Sequence, residues 1–161
     1  MIKTELKDKV LTLRVNEQEI SIDTDEWCVI TGEETVPFSS AEKVSSSRRH
    51  TEIEEVLTVR YEEITEGISL DVLVISDLLH DTVCFQLVPL KDDTQYDRIV
   101  FPGTLKSGKG KLVLPFQQGT LLDSEDEREW KSHFNGNFAC ADAYVNALGF
   151  YNEDLSFLWI V

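Results

Sequence analysis

ISLDVLVIS, residues 68–76, is the stretch on which the fold turns. Ile68, Leu70, Val72 and Val74 occupy alternate positions, so in an extended chain they share one face, while Ser69, Asp71, Leu73 and Ile75 take the other. One face is wholly apolar and the other partly so, which places such a strand toward the middle of a sheet. Downstream, residues 82–90 repeat the alternation with Val83, Phe85 and Leu87. These three are expected to share one core with Leu70, Val72 and Val74. Upstream, residues 53–61 read as a further strand.

The same period governs the start of the chain. In VLTLRV, residues 10–15, Leu11, Leu13 and Val15 alternate with Thr12 and Arg14, and Ile20 and Ile22 resume the pattern after Asn16 and Glu17. That arrangement predicts a hairpin. Residues 26–31, with Trp27, Val29 and Ile30, predict another strand. Residues 98–101 and 111–116 flank Ser107, Gly108, Lys109 and Gly110, where glycine supplies the positive φ of a tight reversal, so a second hairpin is expected there. At the end of the chain, Phe157 and Trp159 fall on one face and Leu158 and Ile160 on the other, the pattern of an interior strand.

Two stretches depart from this period. Residues 32–51 carry Pro37, the serines 45–47 and then Arg48, Arg49 and His50, with few apolar anchors, and are expected to form a mobile connection. Ser124 with Glu127 three residues on matches a capping box, followed by Trp130 and Phe134 on one helical face and by the stop signals Gly136 and Asn137. The fold class is therefore all-β, an antiparallel β-sandwich with one short helix near residues 124–134, in a single domain over residues 1–161.

Composition narrows function mainly by exclusion. Thirty acidic residues against fifteen basic ones give a formal charge of −15, which repels phosphate backbones and anionic headgroups, so neither nucleic acid nor membrane is an expected partner. The amino-terminal MIKTELKDKVLTLRV lacks the apolar core of a secretion signal. Cys28, Cys84 and Cys140 are odd in number and widely spaced, and read as buried, reduced thiols of a cytoplasmic protein.

Catalytic groupings are equally scarce. His50, His80 and His133 form no HxH or HxxxH pair, so no metal and no cofactor are expected. His80 beside Asp81 reads as a turn rather than an oriented base. No GxSxG, GxxxxGK[ST] or GxGxxG is present. The acidic run Asp123, Glu125, Asp126, Glu127 and Glu129 lacks the spacing of a calcium loop and suits the start of a helix. Among the tryptophans, Trp27 and Trp159 lie in strand patterns and read as core. Trp130, with His133 on the same polar helix, is the candidate for stacking on a sugar ring, with packing of Trp130 against the sheet as the structural alternative. No catalytic residue is assigned, and the chain is expected not to be an enzyme.

One arrangement of motifs resembles a known family. Residues 98–101 lead to Pro102, then comes GKGKLVLPFQQGTLL with a Pro-x-x-x-Gly step from Pro115 to Gly119, then ADAYVNALGFYNEDLSFLWIV with an acidic loop at residues 152–154. This is similar to the later part of the N-terminal, galactose-mutarotase-like β-sandwich of bacterial glycoside hydrolases. The resemblance implies a non-catalytic, carbohydrate-associated module, because in that family the catalytic carboxylates lie on a barrel that follows the sandwich. It also implies a carbohydrate, or the missing barrel domain of a longer enzyme, as partner, the chain then being the front part of that enzyme. The alternative, read from charge alone, is a small acidic interaction or immunity protein that covers a basic protein partner.

Overall fold

The computed structural model describes residues 2–15, 17–91, 94–106, 108–114, 120–126 and 147–160. The chain is all-β and divides into two compact units, Met1–Lys106 and Ser107–Val161. The first runs through β1 (Ile2–Lys7), β2 (Val10–Val15), β3 (Gln18–Asp23), β4 (Cys28–Thr31), β5 (Glu34–Pro37) and β6 (Lys43–His50). It continues with β7 (Glu54–Thr65), β8 (Ile68–Asp77), β9 (Thr82–Pro89), β10 (Arg98–Val100) and β11 (Leu105–Lys106). These strands make three antiparallel sheets, ordered β1-β2-β3-β11, β10-β4-β5 and β6-β7-β8-β9.

One hydrophobic core joins the three sheets. The first contributes Leu11, Leu13 and Ile22, and the second contributes Val29 with the neighbouring Trp27. The third contributes Leu57, Val59 and Tyr61 from β7 and Leu70, Val72 and Val74 from β8. Val83, Phe85 and Leu87 of β9 pack against this core from the edge, as their alternation implied. Trp27 lies at the centre, fully buried, with the rings of Phe101, Phe38 and Tyr61 at centroid distances of 4.9, 6.2 and 6.5 Å, all edge-on. Its indole N–H donates to the Pro102 carbonyl at 2.7 Å, which satisfies the one polar atom that burial would otherwise strand. Burial, reinforced by the Asp25 carboxylate, pushes the Tyr61 hydroxyl up to about 12.

The inner face of the third sheet changes character along its length. The register pairs Tyr61 with Leu70, Val59 with Val72 and Leu57 with Val74, and then Glu55 with Ser76. Ser76 is fully buried, and among the described residues its hydroxyl has no hydrogen-bond partner. A buried hydroxyl without a partner costs about 1–3 kcal/mol of desolvation. Ser76→Ala is therefore expected to leave stability unchanged or to raise Tm by about 2–4 °C, as thermal unfolding followed by circular dichroism will read. A fall of that size would instead mean that the hydroxyl makes a bond that contributes to the fold.

Residues 32–51 are not a mobile connection. They form β5, a single 3-10 turn at Phe38–Ser40 with Phe38 fully buried, and β6. All eight side chains of β6 are exposed, so its sequence shows no apolar alternation; its order comes from pairing with β7 in register from Lys43–Glu62 to His50–Glu55. A polar, charged strand of this kind suits a sheet edge, where it discourages pairing with other chains. Ion pairs stand near both ends, Lys43 with Glu62 at 2.6 Å and Arg49 with Glu54 at 2.9 Å.

The second unit contains β12 (Lys111–Leu114), β13 (Thr120–Asp123), β14 (Ala147–Tyr151) and β15 (Ser156–Ile160), in the sheet order β13-β12-β14-β15. Here the expected hairpin between residues 98–101 and 111–116 fails. β10 pairs with β4, and β12 pairs with β13 and β14, because glycines mark a reversal without naming its partner strand. One sheet face is closed by Leu112, Leu122, Phe150 and Phe157, the two phenylalanine rings stacked at 5.2 Å. The terminal strand, expected in a sheet interior, is an edge, with Leu158 65% and Ile160 71% exposed. Leu121, Val113 and Leu158 make an exposed aliphatic row across this sheet, interrupted by Gly149.

The expected helix at 124–134 lies outside the described residues from Glu127 onward. What is described is a turn in which Asp123 takes the capping role: its Oδ1 accepts from the Glu125 N–H at 3.0 Å, while the Ser124 hydroxyl accepts from Gly110. Among the described residues no helix is long and apolar enough to cross a membrane.

Candidate functional site

Strand geometry assembles one polar cluster in the first unit. Arg48 and His50 are two apart on β6 and so share a face, and the register sets His50 opposite Glu55 on β7. β1 brings Thr4, almost fully buried, against the same group. The Thr4 hydroxyl donates to Glu55 Oε1 at 3.1 Å, and Arg48 Nη1 donates both to that oxygen and, at 2.9 Å, to the Thr4 backbone carbonyl. One carboxylate oxygen is thereby saturated by a hydroxyl and a guanidinium. The other, Oε2, stands 3.7 Å from His50 Nδ1.

This cluster forms one wall of a cleft of about 400 Å³, with Ile2, Lys3 and Glu5 of β1, Thr12 and Arg14 of β2, and Leu78. Arg14 is committed to Glu19, to which its Nε and Nη2 donate at 3.2 and 2.6 Å. Glu19 raises the Arg14 pKa through hydrogen bonding and charge, which reinforces that commitment. The lining carries both cationic side chains (Lys3, Arg14, Arg48) and anionic ones (Glu5, Glu55), donors and acceptors suited to a polar ligand.

A second depression, of about 510 Å³, is lined by Thr31, Pro89, Thr94, Gln95, Tyr96 and Asp97. Its carboxylate is already engaged: Asp97 Oδ2 accepts from the Gly32 N–H at 2.6 Å. Tyr96 is 40% exposed and gives this depression an aromatic surface.

The residues singled out from sequence fare differently. Trp130 and His133 lie outside the described residues, as does Cys140. Trp27 is core, as its strand context implied. Cys28 is buried, but Cys84 is exposed: it sits between Val83 and Phe85 on β9, and strand alternation turns it away from the core they face. His80 does make a turn, with Asp77 rather than Asp81; Asp77 Oδ2 lies 2.8 Å from His80 Nδ1, and Asp77 Oδ1 accepts from the Leu79 and His80 N–H groups. The His80 hydrogen bond, followed by the backbone donors, holds the Asp77 carboxyl below the usual carboxylate range. Among the described residues no group of three or more His, Cys, Asp or Glu is placed to hold a metal ion.

No family model matches the chain, and no curated protein matches it. Solved structures do. Over 98% of its length the chain is similar to alpha-N-acetylgalactosaminidase NagBb from Bifidobacterium bifidum, with a TM-score of 0.79 and 15% identity to the GalNAc complex. The ligand-free form gives 0.75 with 17% identity, and the Gal-NHAc-DNJ complex gives 0.77 with 15% identity. The chain spans 28% of the length of those structures. At such identity the likeness is one of fold, the β-sandwich that the sequence motifs resembled.

Proposed function

We propose that this chain is a non-catalytic, carbohydrate-associated β-sandwich module that works beside a catalytic domain of glycoside-hydrolase type. The observation that carries this reading is the coverage of the fold likeness: nearly all of this chain matches about a quarter of an alpha-N-acetylgalactosaminidase structure. Two further features support it. The cleft carries polar side chains of both kinds without a metal-binding group among the described residues. The row Leu121, Val113 and Leu158 offers an apolar face of the sort that partner domains cover.

The test has two arms. Incubation with aryl glycosides, the N-acetylgalactosaminide included, is expected to release no aglycone, and electrophoresis through gels containing neutral polysaccharides is expected to retard the protein. Turnover that disappears in Glu55→Gln would overturn the non-catalytic part. Unchanged mobility in every gel would overturn the carbohydrate part. The charge of −15 favours a second reading, binding to a basic protein, and predicts complex formation that weakens steeply with salt.

A further inference from the structure

We infer that the cleft beside β1 and β6 is a hydroxyl-recognition site for a neutral saccharide, in which Glu55 Oε2 and the His50 imidazole hold one sugar hydroxyl between them. The inference rests on the carbohydrate reading above and gives it an address. Glu55 is the starting point: its side chain is only 17% exposed, yet among the described residues Oε2 receives no hydrogen bond. That oxygen is not sealed in the core: it opens to the cleft, an acceptor free to take a ligand's donor in place of water. Its orientation is fixed from behind, since Thr4 and Arg48 hold Oε1.

His50 supplies the complement. At 3.7 Å the imidazole is too far from Oε2 for a hydrogen bond, and it has no other partner among the described residues. An O–H···O⁻ bond spans about 2.5–2.7 Å and an N–H···O bond about 2.9 Å, so one oxygen seated in the gap reaches both groups. A hydroxyl is the group that donates to the carboxylate and accepts from the imidazole at once.

The surroundings select against charged ligands. An anion would meet Glu5 and Glu55 within a molecule of charge −15, and a cation would meet Lys3, Arg14 and Arg48. Lys3 and Thr12, on the outward face of the β1–β2 pair, add polar groups to the rim of the cleft. Leu78, half-buried, gives the C–H face of a sugar ring an apolar contact.

The experiment is an amide NMR titration of the full chain with D-galactose, methyl α-glucoside and sodium glucuronate. Concentrations run to about 50 mM, to cover the millimolar Kd of a site with few hydrogen bonds. Saturable shifts at residues 2–5, 48–50 and 55 are expected with a neutral sugar and not with glucuronate. His50→Ala removes an exposed side chain that makes no hydrogen bond among the described residues, so the fold should persist while affinity falls about fivefold, the value of one hydrogen bond.

Equal affinity in His50→Ala would overturn the assignment. Shifts confined to residues 94–97 around Tyr96, or retardation in polysaccharide gels while the cleft amides stay silent, would also overturn it, yet leave the carbohydrate reading standing. Silence in both the titration and the gels would remove that reading and the cleft assignment together.

Discussion

Trp27→Ala is expected to cost about 3–5 kcal/mol of folding stability, a large share of the roughly 5–15 kcal/mol that holds a typical domain folded. The indole is fully buried among Phe38, Tyr61 and Phe101, so truncation opens a cavity at the point where the three sheets of the first unit meet. It also leaves the Pro102 carbonyl without the donor it has at 2.7 Å, a separate penalty from the lost packing. Urea unfolding followed by far-ultraviolet circular dichroism should show the midpoint falling sharply. Trp27→Phe, which keeps a ring but not the donor, should lose about half as much. An alanine variant with the parental midpoint would mean that Trp27 does not centre this core.

Gly110→Ala should disrupt the second unit alone. A methyl group there would lie 2.5 and 2.6 Å from Phe150 ring atoms and 2.6 Å from the Tyr151 carbonyl oxygen. The ring could shift, but the carbonyl belongs to β14 and cannot move without the strand. Nor can Gly110 retreat easily, since its N–H donates to the Ser124 hydroxyl and its carbonyl accepts from the Ser124 N–H, both at 3.0 Å. Overpacking against backbone is expected to cost about 3 kcal/mol. The readout is amide exchange: protection in β12–β15 should collapse while that in β7 and β8 persists. Gly108→Ala is the control, because a methyl group there meets only the Asn152 side-chain nitrogen, at 4.0 Å, and the strain is that of its positive φ, about 1 kcal/mol. Equal protection in the Gly110 variant and the parent would refute the close approach.

What the sequence disclosed depends on where each strand lies. β8 and β9 carry apolar residues on every second position because one face of each meets the core, and the six residues assigned to that core do meet there. β6 has no buried side chain, so nothing in its composition could separate it from a loop; only its partner strand reveals it. β15 misled in the opposite direction, since alternating two apolar sets describes an interior strand and an apolar edge equally well. The glycines at 108 and 110 marked a reversal, but pairing between distant strands such as β4 and β10 leaves no local trace.

The cleft was hidden for a related reason. Thr4, Arg48 and Glu55 are drawn from three strands and meet only through tertiary packing and the β6–β7 register. The two-residue spacing of Arg48 and His50 was the available signal, and it counts only once residues 43–50 are known to be extended. Trp130 and His133 drew notice by residue type, whereas the cleft is made of ordinary polar residues whose arrangement matters more than their kind.

The serine-rich edge strand also acts as a gauge of alignment. Because Ser45, Ser46 and Ser47 have little to pack against, they would accept a slip of β6 along β7 by one dipeptide, which returns every side chain to its own face. In one direction that step brings Arg48 opposite Glu55, carries His50 beyond the start of β7 and sets Lys43 against Arg60, like charge facing like. In the other it draws Arg48 opposite Val59 and parts Lys43 from Glu62. The alignment that places His50 beside Glu55 is therefore favoured by charge at the Lys43 end of a strand whose middle is indifferent. A change that neutralised Lys43 would remove that penalty, let the pairing drift and dissolve the hydroxyl grip with the core of the sandwich still intact.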